Sequence, residues 1–168
     1  EAIRRLTAEG ALLPQGNRRV AVPQLSSEML DQVAFARLAI EPALAARAAT
    51  RLTPAQIDRL EAIDAKVNRA IDAGNLPDYL AANHAFHFAL YDAADAPVLL
   101  DLARSLWLRA GPSLRVVIDR FGRESAPDLH REALAAMRSR DAAALAGAIE
   151  RDIQQGVDHV RQALTDAT

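Results

Sequence analysis

A chain of 168 residues without cysteine can form neither a disulfide framework nor a thiolate metal site, and has room for one domain plus a fragment of another. Hydrophobic residues make up 51% but aromatics only 4%, and this excess of alanine and leucine favours helix over strand. The net charge of −2 divides unevenly: residues 1–24 carry Arg4, Arg5, Arg18 and Arg19 against Glu1 and Glu9, or +2, leaving −4 for the other 144, so only the N-terminal end suits a polyanion.

The first residues, EAIRRLTAEG, have helical periodicity through Ile3 and Leu6 and a terminating Gly10, but no cap. A helix without a start signal points to further chain upstream. Two short apolar runs, ALLP and RVAVP, then flank Gln15-Gly16-Asn17, which is a hairpin signal. A helix ending in glycine and followed by a hairpin with arginines near its tip is the back half of a winged helix-turn-helix. A functionless N-terminal appendage would look similar.

From Pro23 onward the pattern is helical throughout. Ser26 or Ser27 can cap a helix reaching about Thr50, with Leu30, Val33, Ala34, Leu38, Ile40, Leu44 and Ala45 on its apolar face. Thr53-Pro54 opens a second helix to about Ala73, closed by Gly74-Asn75. Pro77 starts a third, ending near Ala94. Pro97 begins a fourth that kinks at Gly111-Pro112 and continues to about Phe121. Ala126-Pro127 starts a fifth to about Arg140, and Asp141 caps a sixth to about Ala163. Short connections make this an all-α, six-helix antiparallel bundle, preceded by the remnant of a winged helix-turn-helix. The boundary falls between 1–24 and 25–168. No run of about 18 apolar residues and no basic-then-apolar leader is present, so a soluble, cytoplasmic protein with no membrane partner is expected.

The third helix carries the stretch YLAANHAFHFALY, with two of the four histidines. Asn83 and His87, spaced i, i+4, share a face flanked by Leu80, Phe86 and Leu90, whereas His84 lies about 100° away round the helix. The pair fits an internal polar site, and equally a core histidine with its hydrogen bonds satisfied. His130 lies early in the fifth helix. Asp152 and His159 share a stripe of the sixth, two turns apart, so only one of them can be level with a compact site. Imidazoles with a carboxylate and a carboxamide, drawn from three helices, suit a divalent Zn, Ni, Mn or Fe ion. Two histidines and a carboxylate also describe non-haem iron enzymes, but this sequence cannot make the β-barrel that usually carries them. A polar pocket that binds a small ligand directly without a metal, and a helical interaction module without a small ligand, are the remaining rivals.

Three segments taken together are more specific. Arg37-Leu38-Ala39-Ile40-Glu41 before ALAARAA, then Asn83-His84-Ala85-Phe86-His87, then His130 through Asp141, resemble in order and spacing the effector-binding (FCD) domain of FadR-like GntR transcription regulators. Six helices rather than seven resemble the shorter, VanR-like branch. The N-terminal EAIRRLTAEGALLPQGNRRVAV resembles the end of that family's recognition helix and its wing.

The resemblance implies a ligand-responsive DNA-binding regulator rather than an enzyme, a homodimer on symmetric operator half-sites, and a small carboxylate effector. It also implies a metal held by an Asp and a His one turn apart and by one His from each of two later helices. His87 and His130 match their positions in that pattern. The Asp position holds Asn83, and the last His position, 22 residues after His130, holds Asp152. A carboxylate lost at 83 therefore reappears at 152, leaving the charge of the ligand set unchanged, with His159 as the competing fourth group.

Arg37, Arg109 and Arg115 are the candidates for receiving the effector's carboxylate. Arg37 and Glu41 could instead form an i, i+4 surface ion pair. Trp107 is expected in the core or at an interface. Arg18 and Arg19 on the wing suit phosphate contacts, and Arg4 and Arg5 fall late in the recognition helix. Tight sequence-specific DNA binding is not expected of this piece alone.

Overall fold

The described residues of the computed structural model are 1–17, 19–23, 26–117 and 129–166, with side chains described except at 112–117 and 166. Within them the chain forms α1 (Ala2–Ala8), β1 (Leu13–Gln15), β2 (Arg19–Ala21), α2 (Ser27–Ala49), α3 (Pro54–Asp72), α4 (Leu76–Asp92), α5 (Pro97–Val117), α6 (Leu129–Ser139) and α7 (Ala142–Asp166). The expected all-α architecture holds: a short helix and a hairpin lead into six helices, α2–α7. No described helix is long and apolar enough to cross a membrane.

Local chemistry explains where the helices start. Ser26 Oγ accepts the Met29 amide at 3.2 Å ahead of α2. Thr53 and Gln56 form a reciprocal capping box before α3, with Pro54 in its first turn. Asn75 Oδ1 takes the Asp78 amide at 3.2 Å and Asp141 Oδ1 the Ala144 amide at 2.9 Å, opening α4 and α7. Each such cap contributes about 1 kcal/mol. Gly10, at φ +75°, ends α1 in a left-handed conformation that other residues adopt only with strain. The hairpin that follows pairs Leu13 with Ala21, Pro14 with Val20 and Gln15 with Arg19.

α5 runs helically through Gly111 and Pro112 to Val117; its expected extension to Phe121 lies outside the described residues. The same is true of Ala126-Pro127, the expected start of α6, which is described from Leu129.

The core lies where α2 packs on α7, α5 and α4, with α3 beside α4 and α6 beside α7. Alanines at 45, 48, 49, 103 and 133 let helices approach closely, and Leu44, Phe86, Tyr91, Met137, Ile149 and Ile153 fill the spaces between them. One detail of α2 differs from the expected apolar face. Leu38 and Ile40 are only partly buried, while Arg37 and Glu41 go deeper, at 7% and 0% exposure. Charged side chains lie that deep only when paired, and these are.

Candidate metal centre

α4, α6 and α7 bring His87, His130 and Asp152 together, with one donor atom of each within 4.8 Å of the others. His87 Nε2 lies 3.1 Å from Asp152 Oδ2, and His130 Nε2 lies 3.9 Å from Asp152 Oδ1. The imidazole planes stand nearly perpendicular, with centroids 5.3 Å apart. Phe86 stacks on His130 at 3.9 Å and fixes that ring's plane from the α4 side.

Hydrogen bonds on the far side of each ring determine what the near side offers. His130 Nδ1 is 2.8 Å from Asp64 Oδ1 on α3. A carboxylate only accepts, so Nδ1 carries the proton and Nε2 presents its lone pair towards Asp152. His87 Nδ1 is 3.1 Å from the Tyr91 hydroxyl, which donates to Glu41 Oε2 at 2.7 Å. Since the tyrosine proton is committed to Glu41, His87 must donate through Nδ1, and its Nε2 is also bare.

Glu41 is the hub of this arrangement. Its carboxylate accepts from Arg37 Nε at 2.6 Å, Arg37 Nη2 at 3.2 Å, Tyr91 at 2.7 Å and Trp107 Nε1 at 3.1 Å. The Arg37 guanidinium also lies 4.6 Å over the Trp107 ring. Four donors around a fully buried carboxylate satisfy a charge that would otherwise be costly to bury.

The central donor set is therefore two bare imidazole nitrogens and a carboxylate, all electron-rich and facing one another. His87 Nε2 is buried and makes no hydrogen bond, despite its closeness to Asp152. Lone pairs converging in this way repel unless a proton or a metal cation lies between them, and two imidazoles with a carboxylate fit a divalent ion. Burial opposes the Asp152 charge, but the close approach of His87, whose Nε2 lies 3.1 Å away, and the nearness of His130 and the Arg37 guanidinium outweigh it. The Asp152 carboxyl is accordingly held below the usual carboxylate range.

The remaining sequence candidates separate clearly. Asn83 is partly buried, one turn before His87 on the same face of α4. His159 stands two turns beyond Asp152 on α7 and is not one of the three clustered donors. Arg37 points inward, so it is not a surface ion pair, and its carboxylate partner is Glu41. Arg109 is exposed, and its guanidinium lies 3.0 Å from where a side chain on Gly10 would begin, at the junction with the N-terminal elements. The Arg115 side chain and all of Arg18 lie outside the described residues. Arg4 and Arg19 are exposed, and Arg5 pairs with Glu9 at 2.8 Å.

Sequence reasoning missed Asp64, Tyr91 and the inward role of Glu41. Asp64 carried a readable signal, because it interrupts the apolar stripe Ile57, Leu60, Val67 of α3 at a core position.

The description "FCD domain" fits residues 32–155. The chain belongs to the FCD-domain family. That span holds His87, His130, Asp152 and the Glu41 hub, and it bears out the likeness to FadR-like GntR regulators. Among relatives, the HTH-type transcriptional regulator McbR of Escherichia coli strain K12 is 28% identical over 145 residues, 84% of this chain. The chain spans 65% of McbR. The HTH-type transcriptional repressor RspR of the same organism is 28% identical over 171 residues, covering 96% of this chain and 72% of RspR. The solved structure of E. coli McbR/YncC superposes with a TM-score of 0.83 at 24% identity, over 96% of this chain and 82% of that one. A GntR family member from Pseudomonas syringae pv. tomato DC3000 gives 0.68 at 20% identity, over 99% and 69%. These likenesses establish the FCD fold, and the named relatives are transcription regulators.

Proposed function

We propose that this FCD chain is the sensing part, with a fragment of the DNA-binding head, of a ligand-responsive transcription regulator, and that His87, His130 and Asp152 hold a divalent ion in its effector site. The observation that carries the reading is the bare, buried Nε2 of His87 facing a carboxylate and a second bare imidazole nitrogen. Zn, Ni, Mn and Fe all suit this donor set. Once bound, such an ion supplies a Lewis-acidic anchor for the oxygen of a small carboxylate effector.

The chain's own residues do the rest. Tyr91 and Asp64 orient the imidazoles through Nδ1, and Asp152 neutralises charge. Asn83, one turn from His87, offers a neutral oxygen. Glu41 holds Arg37 beside the site, where the guanidinium attracts an anion.

Residues 25–168 form the sensing bundle. Residues 1–24 are the end of a winged helix that faces operator DNA, with Arg18 and Arg19 of the wing at phosphates and Arg4 and Arg5 late in the recognition helix. The whole protein acts in the cytoplasm as a homodimer, and effector binding favours one of two bundle arrangements and so alters how the paired heads are spaced.

Metal analysis of purified protein tests the centre. Wild type should carry stoichiometric divalent metal, and both His130→Ala and Asp152→Asn should lose most of it while keeping wild-type helical content. Equal metal in all three would remove the ion from the mechanism. A thermal-shift screen with small organic acids then tests sensing, because a bound effector stabilises the fold by linkage.

A further inference from the structure

A second concavity lies beside the His87–His130–Asp152 cluster, where α1 meets α4 and α5, with Trp107, whose ring is 5.1 Å from that of His87, between the two. It has a volume of about 710 Å³, within the range of small-molecule sites, and none of the three clustered donors lines it. Its floor is aromatic. His84 stacks on Phe88 with centroids 4.4 Å apart, and Trp107 stands edge-on to both at 5.5 and 5.6 Å. Leu108 extends the apolar wall, and Arg104 and Arg5 stand at the rim.

The rim shows which charge the cavity accepts. Arg104 makes one long bond each to Asp101 and Asp92, at 3.2 and 3.3 Å, and all three side chains are exposed. Arg5 spends one N–H on Glu9, with its side chain 81% exposed. Exposed pairs of this kind contribute less than about 1 kcal/mol, so exchanging a surface carboxylate for a ligand's costs little. Each guanidinium has five donors, and most of them remain available for the forked geometry that carboxylates and sulfonates accept. Because Glu9 and Asp101 also line the cavity, the rim balances overall and favours a single negative charge over several.

We infer that this cavity is a second ligand site, for a planar aromatic molecule bearing one anionic group. The rings lie on His84, Phe88 and Trp107, and the anion is taken by Arg104. Since Arg5 and Glu9 come from α1 or its end and the other lining residues from α4 and α5, an occupant touches the N-terminal elements and the bundle at once. The inference does not depend on metal binding.

Trp107 is the chain's single tryptophan and a built-in reporter. 8-Anilinonaphthalene-1-sulfonate and its uncharged analogue N-phenyl-1-naphthylamine, titrated into the whole chain, separate ring recognition from anion recognition. The sulfonate should quench Trp107 emission saturably at one site and bind at least tenfold more tightly than the analogue. Arg104→Glu and Leu108→Glu, both at exposed positions, should each weaken the sulfonate tenfold or more, while Asp152→Asn leaves it within twofold. Non-saturable binding, insensitivity to both rim substitutions, or loss in Asp152→Asn would overturn the site. Equal affinity for the two probes would overturn its anion preference.

Discussion

Asp152 has two environments in conflict: a buried setting that disfavours its charge, and the neighbouring His87, His130 and Arg37 side chains, which favour it more. The sign of the pH effect follows. A carboxyl whose folded-state value lies below its unfolded value of about 3.9 stabilises the fold fully above that value, and the contribution fades as pH falls through the folded one. In metal-free protein, the stability advantage of wild type over Asp152→Asn should be constant from pH 7 to about pH 5 and shrink below pH 4. Urea unfolding midpoints across that range measure it. An advantage that grew as pH fell through about 4 would mean that the native state holds the carboxyl above its unfolded value. The sequence pointed to this residue because its spacing from His130 matched a position that the family resemblance gives to a ligand, and the structure brings the two side chains together. It could not show that Nδ1 of both histidines is occupied, because those partners, Asp64 and Tyr91, matter through contacts between helices.

Among the elements, α2, α4 and α5 share not only apolar packing but also one carboxylate. Glu41 on α2 takes donors from its own helix, from Tyr91 on α4 and from Trp107 on α5. Glu41→Gln leaves Arg37 buried without its counter-charge and should cost about 3–5 kcal/mol in urea unfolding. The double variant Arg37→Met/Glu41→Gln should recover much of that loss, because it removes the stranded charge together with its partner. A double variant no more stable than Glu41→Gln would show that Tyr91 and Trp107, not the ion pair, account for the cost. Helix boundaries were readable from the sequence because caps are local: Ser26, Thr53-Pro54 and Asp141 do in the structure what their identity predicts. The face of α2 was harder. Arg37 and Glu41 occupy core positions only because Tyr91 and Trp107, far away in the chain, come to meet them.

For the molecule as a whole, a metal bound to the native state alone would link fold and site. At a free concentration of about 100 times its dissociation constant, an ion adds roughly 2.7 kcal/mol. Dialysis against a chelator should therefore lower the melting temperature by several degrees, with recovery on adding back a divalent ion. His130→Ala should melt at the same temperature with or without chelator. A chelator shift that persisted in the variant would locate the ion elsewhere. The bundle architecture was predictable at this scale, since alanine-rich helices with short connections have few ways to pack. The contact between the N-terminal elements and the bundle was not, because Gly10 against Arg109 and Arg5 beside Asp101 carry no periodic signal.

The crowding of four donors on the Glu41 carboxylate has a consequence for descent. No single one of Arg37, Glu41, Tyr91 and Trp107 can be replaced without stranding a buried charge or a buried polar group. Related chains should therefore keep the quartet intact or lose it together, exchanging it for an apolar plug of similar volume. Lineages without it would have to orient the imidazole at the position of His87 by some other acceptor.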